Sequence, residues 1–116
     1  MSFAVEYYKK TDGTNPAEDF IIAQDNKMRA KIFRNLELLE KMGSDLREPY
    51  SSHLDDGIFE LRTQMGSNIS RVLYFFVVGE KIILTHGFIK KSQKTPSGEI
   101  VLAKKFRANY FAMKET

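Results

Sequence analysis

Three apolar segments in the second half of the chain constrain the fold more than any other feature, because very short connections join them. The segments cover residues 58–64, 70–78 and 81–89, and turn signals separate them at 65–68 and 78–80. A parallel pair of strands needs a crossover of about a dozen residues or more, whereas a tight turn suffices for an antiparallel pair. The spacing therefore predicts an antiparallel meander of three strands.

The first half of the chain has a helical rather than an extended period. Asn15 suits the position before a helix, Pro16 suits its first turn, and Glu18 completes a capping box. The apolar residues that follow recur at mostly three- and four-residue steps, as Phe20, Ile21, Met28, Ile32, Leu36, Leu39 and Met42. These steps predict one helix, or two helices separated near residues 25–26, which ends at Gly43 and turns its apolar face to the core.

A short strand and a final helix complete the predicted elements. Residues 3–8 are aromatic and β-branched and precede a turn signal, which predicts an N-terminal strand. A final helix is predicted from about residue 95 to 113, with one face formed by Ile100, Ala103, Phe106, Tyr110 and Met113. With 116 residues, the chain is predicted to form a single domain, residues 1–116. The predicted class is α+β: a small antiparallel sheet, made of the N-terminal strand and the meander, with its helices packed largely on one face.

Composition removes several classes of protein. The chain has no cysteine, which excludes a disulfide scaffold and thiolate chemistry and favours a cytoplasmic location. Its apolar runs fall far short of the roughly 20 residues that span a bilayer, and residues 1–10 do not have the pattern of a signal peptide. Two histidines without a cysteine give no promising set of zinc ligands. We therefore predict no membrane partner, no metal site and no cofactor.

Positive charge is concentrated towards the C-terminal end of the sequence. Residues 81–116 contain eight lysine and arginine residues and two acidic residues, although the whole chain has a net charge of only +3. A basic third on a near-neutral body is typical of a protein that binds phosphates or an acidic partner. The same pattern is compatible with an ordinary solvated helix surface. Charge alone leaves these interpretations open.

Strand alternation brings the candidate functional residues to one surface. Glu60 and Arg62 share one face of their strand, and as charged residues they are expected on an open face of the sheet, away from the helices. In the last strand, one face carries the alternate residues Leu84, His86, Phe88 and Lys90. If the strand registers agree, a polar cluster forms beside the lysine-rich segment 90–94 from Glu60, Arg62, Arg71, His86 and Lys90.

Two arginines and several lysines around one proton acceptor provide what cleavage of a phosphodiester requires. The cations hold the scissile phosphate and neutralise the charge that develops on its oxygens, and this chemistry needs no metal. Simpler interpretations exist: a Glu–Arg pair on a strand is commonly a solvated ion pair, and the lysine-rich segment also suits an acidic protein partner. His86 is compatible with a position at the rim of the core, and His53 with a position in a loop. Tyr74 is expected to lie in the core rather than to stack on a base.

Several of these residues occur in an order that resembles a known family. The motifs are FELR at 59–62, RxxYFF at 71–76, HGFxKKxxKTP at 86–96 and EIxxAK at 99–104. Together with the predicted order of elements, they resemble the RelE/HigB-like toxins of bacterial type II toxin–antitoxin systems. More narrowly, they resemble the branch first described as phage-derived proteins.

The resemblance implies an enzyme that acts on RNA and has a dedicated inhibitor. Such toxins are ribosome-dependent endoribonucleases that cut mRNA in the decoding site and so arrest translation. The implied partners are the ribosome, mRNA and a cognate helix-turn-helix antitoxin, which binds the toxin in a hetero-oligomer that represses its own operon. Arg62 and Arg71 match the strand arginines of the motif, and its basic loop is matched by Lys90, Lys91 and Lys94. His86 matches a strand-end residue near the cleft.

The expected reaction is a metal-free transesterification. The ribose 2′-hydroxyl attacks the adjacent phosphate and the 5′-oxygen leaves, which gives a 2′,3′-cyclic phosphate and a 5′-hydroxyl. Glu60 or His86 is the expected general base, and the choice between them stays open. The expected phosphate-binding and charge-stabilising residues are Arg62, Arg71, Lys90 and Lys91.

Other cations are expected to bind the phosphates of ribosomal RNA. These are Lys94, Lys104, Lys105 and Arg107. The sequence contains no obvious His–His or His–Glu pair, which favours dependence on the ribosome to position the substrate. The alternative function is a non-catalytic RNA- or protein-binding module, a degenerate toxin that acts in a DNA-binding regulatory complex.

Overall fold

A five-stranded sheet with helices on both faces forms the framework of the protein. The computed structural model describes residues 2–114, so Met1, Glu115 and Thr116 lie outside the described part of the chain. The elements are, in order, β1 (Ala4–Tyr7), α1 (Pro16–Ile22), α2 (Asn26–Met42), a 3₁₀ turn (Gly43–Asp45), β2 (Ser51–Asp55), β3 (Ile58–Met65), β4 (Asn68–Val77), β5 (Lys81–Lys90) and α3 (Ser97–Lys114). This architecture confirms the predicted α+β class. Within residues 2–114, no helix combines the length and the apolar character that crossing a membrane requires.

The strands lie in the order β1-β5-β4-β3-β2. β3, β4 and β5 pair antiparallel, with Arg62 opposite Arg71 and Leu73 opposite His86, as the short connections predict. The prediction of a wholly antiparallel sheet is wrong, because β1 runs parallel to β5. Most of the chain separates these two strands, so no tight turn dictates their relative direction.

β2 is an edge strand whose sequence does not have the usual pattern of a strand. It pairs antiparallel with β3 and places Ser52 opposite Glu60. The polar sequence predicts a connecting segment here and a loop position for His53, and both predictions are wrong. An edge strand faces solvent along one side, so polar residues replace the apolar alternation by which strands are recognised. Ser51 is nevertheless buried, and its Oγ forms a hydrogen bond with the Tyr74 hydroxyl.

Helices cover both faces of the sheet, which corrects the prediction that they pack largely on one. α1 and α2 cover the face that carries Leu61 and Tyr74, and the predicted core position of Tyr74 is confirmed. α3 covers the opposite face and packs Phe106 near Leu73 and Phe75. Alternate residues of β4 therefore enter two separate cores, which explains why its apolar run is nearly continuous.

The helix ends follow the sequence signals with one exception. α1 and α2 are separate helices, and the Asp25 side chain caps α2 by accepting a hydrogen bond from the Met28 amide at 2.8 Å. Gly43 follows α2 with a φ of 52°, and a Cβ there would lie only 2.0 Å from the Phe3 ring. Asn15 precedes α1 but makes no side-chain cap hydrogen bond, so the predicted capping box is not formed.

A bulge in β5 at Thr85 changes the face that the end of this strand presents. Leu84 lies opposite Tyr74, whereas His86 lies opposite Leu73, so the register shifts by one residue. Leu84 consequently packs with the α1 and α2 core, while His86 faces α3. The prediction that Leu84 and His86 share a face is wrong, because a bulge inserts one residue that simple alternation does not include.

Candidate active site

Glu60, Arg62 and Arg71 converge on the face of the sheet that α3 covers. The Glu60 carboxylate lies between the two guanidinium groups: its Oε2 is 3.7 Å from Arg62 Nε and its Oε1 is 3.8 Å from Arg71 Nε. The convergence of these three residues is as predicted, but their expected position on an open, solvated face is wrong. Glu60 is 2% exposed and Arg71 is 0% exposed. This is a buried charge cluster rather than a surface ion pair.

The segment between β5 and α3 closes this cluster. We call residues 91–96 the basic loop. The Arg71 Nη2 donates a hydrogen bond to the Ser92 carbonyl, and the buried Thr95 hydroxyl donates to Glu60 Oε1. The Arg62 Nη2 donates to Gln93 Oε1 at 2.7 Å. Three contacts, made by Ser92, Gln93 and Thr95, therefore hold the basic loop against the charged side chains.

Arg71 has unused hydrogen-bonding capacity although it is buried. Its Nε and Nη1 have no hydrogen-bond partner among the described residues, and the same is true of the buried Ser70 Oγ. Burial lowers the pKa of Arg71 and nearby Arg62 lowers it further, while Glu60 opposes both effects. Buried donors without partners are costly and are uncommon in folded proteins. An arginine in this state is suited to receive an anionic ligand.

His86 lies on the same face but in a separate cluster. Its Nε2 is 3.1 Å from Glu99 Oε1 and its Nδ1 is 3.1 Å from Thr85 Oγ1. Burial lowers the pKa of His86, and the adjacent Glu99 carboxylate opposes this shift. In the register of the sheet, Leu73 stands between Glu60 and His86, which places the two expected bases on strands about 10 Å apart. The structure thus does not bring His86 into the Glu60 cluster.

The His86–Glu99 contact corrects a further expectation, that no His–Glu pair is present. Glu99 lies in the first turn of α3, and the pair forms because α3 packs on the face to which the bulge directs His86. Within residues 2–114, no group of three or more histidine, aspartate or glutamate side chains is placed to hold a metal ion.

Two clefts meet at Arg62. The first, which we call the Glu60 cleft, has a volume of about 310 Å³ and is lined in part by Glu60, Arg62 and Lys94. The second, which we call the Tyr50 cleft, has a volume of about 400 Å³ and lies at the end of β3 beside Tyr50. Arg62 and Gln93 line both clefts. Because the Arg62 side chain is 20% exposed, its guanidinium is accessible where Arg71 is not.

The lysines expected to bind phosphate are on the surface. Lys90 ends β5, Lys91 and Lys94 belong to the basic loop, and all three are exposed. They surround the segment whose main chain covers Arg71. A polyanion bound to these lysines would therefore contact the element that closes the cluster.

The cations expected on α3 are in different environments. Lys104 Nζ is 2.5 Å from Asp55 Oδ2, and Arg107 Nη2 is 2.9 Å from Asp56 Oδ2. Asp55 is the last residue of β2 and Asp56 lies in the turn that follows it, and the sequence did not predict that this end of β2 approaches α3. Lys105 is exposed. Two of the three α3 cations that were expected to bind RNA are thus partly neutralised by neighbouring carboxylates.

Thr95, Gln93 and Tyr50 were not predicted as site residues. Thr95 has the sequence signature of a helix start, and its partner Glu60 is 35 positions away in the sequence. Gln93 occupies an unspecified position of the HGFxKKxxKTP motif, and Tyr50 lies in a polar connection outside the motifs. Thr95 is a named position of that motif, but the sequence does not indicate its contact with Glu60. The pairing of the strands and the path of the basic loop bring these three residues to the cluster and the clefts.

Comparison with models of protein families gives a match. A family model described as Phage derived protein Gp49-like (DUF891) matches residues 19–108. No curated protein sequence matches the chain. The matched region covers well over half of the chain and contains Glu60, both arginines and the whole basic loop. The chain therefore belongs to the Gp49-like phage-derived proteins, a family of toxin-like proteins associated with toxin–antitoxin systems.

Proposed function

We propose that the protein is the toxin of a RelE/HigB-like toxin–antitoxin pair and that it cleaves mRNA on the ribosome. The observation that carries this proposal is Arg71, a buried guanidinium with two nitrogens that have no hydrogen-bond partner in the described chain. Arg71 shares the Glu60 carboxylate with the accessible Arg62. Two arginines can bind a phosphate, and a carboxylate between them can act as the base that deprotonates the neighbouring hydroxyl.

In the proposed reaction, Glu60 accepts the proton of the ribose 2′-hydroxyl as this oxygen attacks the adjacent phosphorus. Arg62 and Arg71 bind the non-bridging oxygens, whose charge increases in the transition state. The bond from phosphorus to the 5′-oxygen breaks, and this oxygen takes up one proton, for which Lys94 is our candidate donor because it lines the same cleft. The products are a 2′,3′-cyclic phosphate and a 5′-hydroxyl.

The closed basic loop supplies a reason for ribosome dependence. A phosphate reaches Arg71 only if the Ser92 carbonyl, which now accepts from Arg71 Nη2, is displaced. Lys91 and Lys94 on this loop are exposed, so phosphates of ribosomal RNA attract the loop from outside. We propose that the ribosome draws the loop away from Arg71 and that free RNA does so poorly.

The proposed setting follows from this activity. A toxin that acts on translating ribosomes works in the cytoplasm and needs an antitoxin to restrain it. We propose that a cognate helix-turn-helix antitoxin forms a hetero-oligomer with this chain, which acts as one domain.

A translating-ribosome assay tests the proposal. Ribosomes programmed with a defined mRNA receive the protein, and the 5′ ends of the products are mapped. The wild type is expected to cut within ribosome-bound codons, and Arg62→Ala is expected to cut little, since it removes the accessible half of the phosphate site. Arg34→Ala, which removes an exposed arginine from α2, is the matched control and is expected to cut normally.

The closed state of Arg71 also supports one alternative, a non-catalytic module that binds RNA or a protein. If the folded wild type binds ribosomes but produces no new 5′ ends, the alternative replaces the nuclease. If Arg62→Ala cuts as well as the wild type, the role of the Glu60 cluster in catalysis is wrong.

A further inference from the structure

The Tyr50 cleft lies where β3 extends beyond its partner β2. On this side of β3, the Arg62 amide donates to the Tyr50 carbonyl at 2.8 Å. α2 bonds two of the β3 carbonyls: Lys31 Nζ donates to the Gln64 carbonyl at 2.6 Å, and Asn35 Nδ2 donates to the Arg62 carbonyl at 3.3 Å. Asn35 also donates to Thr63 Oγ1 at 3.0 Å. One wall of the cleft is therefore held in place by contacts between a helix and the sheet.

The groups that line this cleft suit a nucleobase. The Tyr50 side chain is 42% exposed, which leaves an aromatic surface available for stacking. Gln64 and Gln93 bring amide groups to the cleft, and such groups recognise the edges of bases. Gln64 Nε2 donates to the Gly66 carbonyl and Gln93 Oε1 accepts from Arg62, which leaves the Gln64 oxygen and the Gln93 amide nitrogen for a ligand. The cations Lys31 and Arg62 also line the cleft, and no carboxylate is among the described lining residues.

The position of Arg62 links this cleft to the Glu60 cluster. Arg62 lines both clefts and contacts Glu60 in one of them and Gln93 at their junction. An RNA chain whose phosphate lies on Arg62 has its neighbouring nucleotide within reach of either cleft. The volume of about 400 Å³ falls within the range of small-ligand sites, about 300–1,000 Å³.

We propose that the Tyr50 cleft binds one unpaired RNA base, with the Tyr50 ring against the face of the base and the Gln64 amide at its edge. The base belongs to the nucleotide next to the phosphate that Arg62 holds, so the inference rests on the proposed function for its location. Stacking on an aromatic ring tolerates every base, whereas the glutamine amide discriminates among base edges. The cleft thus supplies sequence preference to a cluster that by itself recognises only phosphate.

Fluorescence tests this inference without any cleavage. The chain contains no tryptophan, so Tyr50→Trp introduces a single fluorophore at the cleft. The probe is an RNA trinucleotide with 2′-O-methyl groups, which cannot be cut by attack of the 2′-oxygen. Saturable quenching is expected with this probe, and none is expected with a trinucleotide of the same charge that lacks its bases. Adding Gln64→Ala to the Tyr50→Trp variant is expected to weaken binding about threefold to tenfold, as the loss of one hydrogen bond does.

Val78→Trp is the matched control, because Val78 is 99% exposed in the turn between β4 and β5. It reports collisional quenching alone. Equal quenching in the two variants, or equal quenching by the trinucleotide without bases, overturns the inference. Saturable quenching by a polyglutamate peptide with none by RNA also overturns it and assigns the cleft to an acidic protein.

The two proposals fail in different ways. If Tyr50→Trp binds the trinucleotide while the wild type cuts no mRNA, the cleft is a base-binding site and the nuclease proposal fails. If the wild type cuts mRNA while the trinucleotide produces no saturable quenching, the nuclease proposal holds and the cleft inference is wrong.

Discussion

Arg71 carries its charge where burial makes a charge costly. Its neighbours supply one carboxylate, Glu60, at ion-pair distance and one hydrogen bond to the Ser92 carbonyl. Two of its nitrogens stay without hydrogen-bond partners in the described chain, so these contacts do not fully satisfy the guanidinium. A residue kept in this state at a stability cost is typical of a binding or catalytic site.

The energetic coupling of Glu60 and Arg71 is measurable with a double-mutant cycle. Arg71→Met leaves the buried carboxylate with one guanidinium fewer, and Glu60→Gln leaves the arginine with no carboxylate; each change is expected to lower the free energy of unfolding. The double variant is expected to lose less than the sum of the two losses, with a coupling of about 1–3 kcal/mol. Urea unfolding of the four proteins measures this coupling.

The exposed pair of Lys104 and Asp55 is the matched control. Its cycle, Lys104→Met with Asp55→Asn, is expected to show no coupling that urea unfolding resolves, since solvent screens an exposed pair. Additive losses at Glu60 and Arg71 would contradict the description of the cluster as a coupled unit.

From the environment of His86 we expect the free energy of unfolding to decrease in mild acid. The pKa of His86 lies below the usual 6.5 because the folded protein buries it, and Glu99 only partly opposes this. Below about pH 6.5 the unfolded chain binds a proton that the folded protein binds less readily, so the free energy of unfolding decreases as the pH falls. His86→Gln keeps a polar side chain but does not titrate, and it is expected to flatten this decrease.

His53→Gln is the control for that profile, since His53 is exposed and contacts the Gly57 amide and the Phe59 ring. Denaturation at several pH values measures how the free energy of unfolding depends on pH for the wild type and for both variants. If His86→Gln retains the wild-type dependence, another group is responsible for the acid sensitivity.

The secondary-structure elements differ in how well they can be predicted from a single sequence. The meander and the helical segment of the first half were predictable, because turn signals and apolar period are local properties. Whether this segment forms one helix or two was left open by the sequence. β2 was not predictable, since an edge strand has little apolar alternation, and the bulge at Thr85 was not, since it depends on pairing with β4. The burial of Glu60 and Arg71 depends on the basic loop closing over that face, which is a long-range property of the fold.

The basic loop is the element whose opening the proposed function requires. Thr95→Val keeps the shape of the side chain but removes the hydroxyl that donates to Glu60. We expect faster amide hydrogen exchange across residues 91–95, because one of the contacts that close the loop is lost. Hydrogen exchange followed by mass spectrometry or NMR measures this change.

Ser92→Ala is the matched control within the same loop, because within residues 2–114 the Ser92 hydroxyl bonds only to the Lys94 carbonyl, at 3.3 Å. The amide hydrogen exchange of this variant is expected to resemble that of the wild type, since the main-chain carbonyl that accepts a hydrogen bond from Arg71 is retained. Equal exchange in Thr95→Val and the wild type would mean that the Thr95–Glu60 contact does not hold the loop closed.

At the scale of the whole molecule, one face of the sheet forms an apolar core and the other also contains the charged site. α1 and α2 build the larger apolar core, and α3 covers the face that ends in the Glu60 cluster. The C-terminal third carries the excess of positive charge, and the structure divides that charge between an exposed loop and a helix whose cations are partly paired. The loop, rather than the helix, is thus the stronger attractor of polyanions.

This division predicts how salt affects ribosome binding. Each cation that contacts a phosphate releases counterions and adds about 0.7–0.9 to the slope of log affinity against log salt concentration. Removing Lys90, Lys91 and Lys94 together by substitution to alanine is expected to reduce the slope by about two, since all three are exposed. Lys104→Ala with Arg107→Ala is the comparison, and it is expected to change the slope little, because Asp55 and Asp56 already occupy these cations. Binding of purified ribosomes, measured across a range of salt, gives both slopes. A larger reduction from the α3 pair would mean that the ribosome breaks these ion pairs and that α3, not the basic loop, faces its RNA.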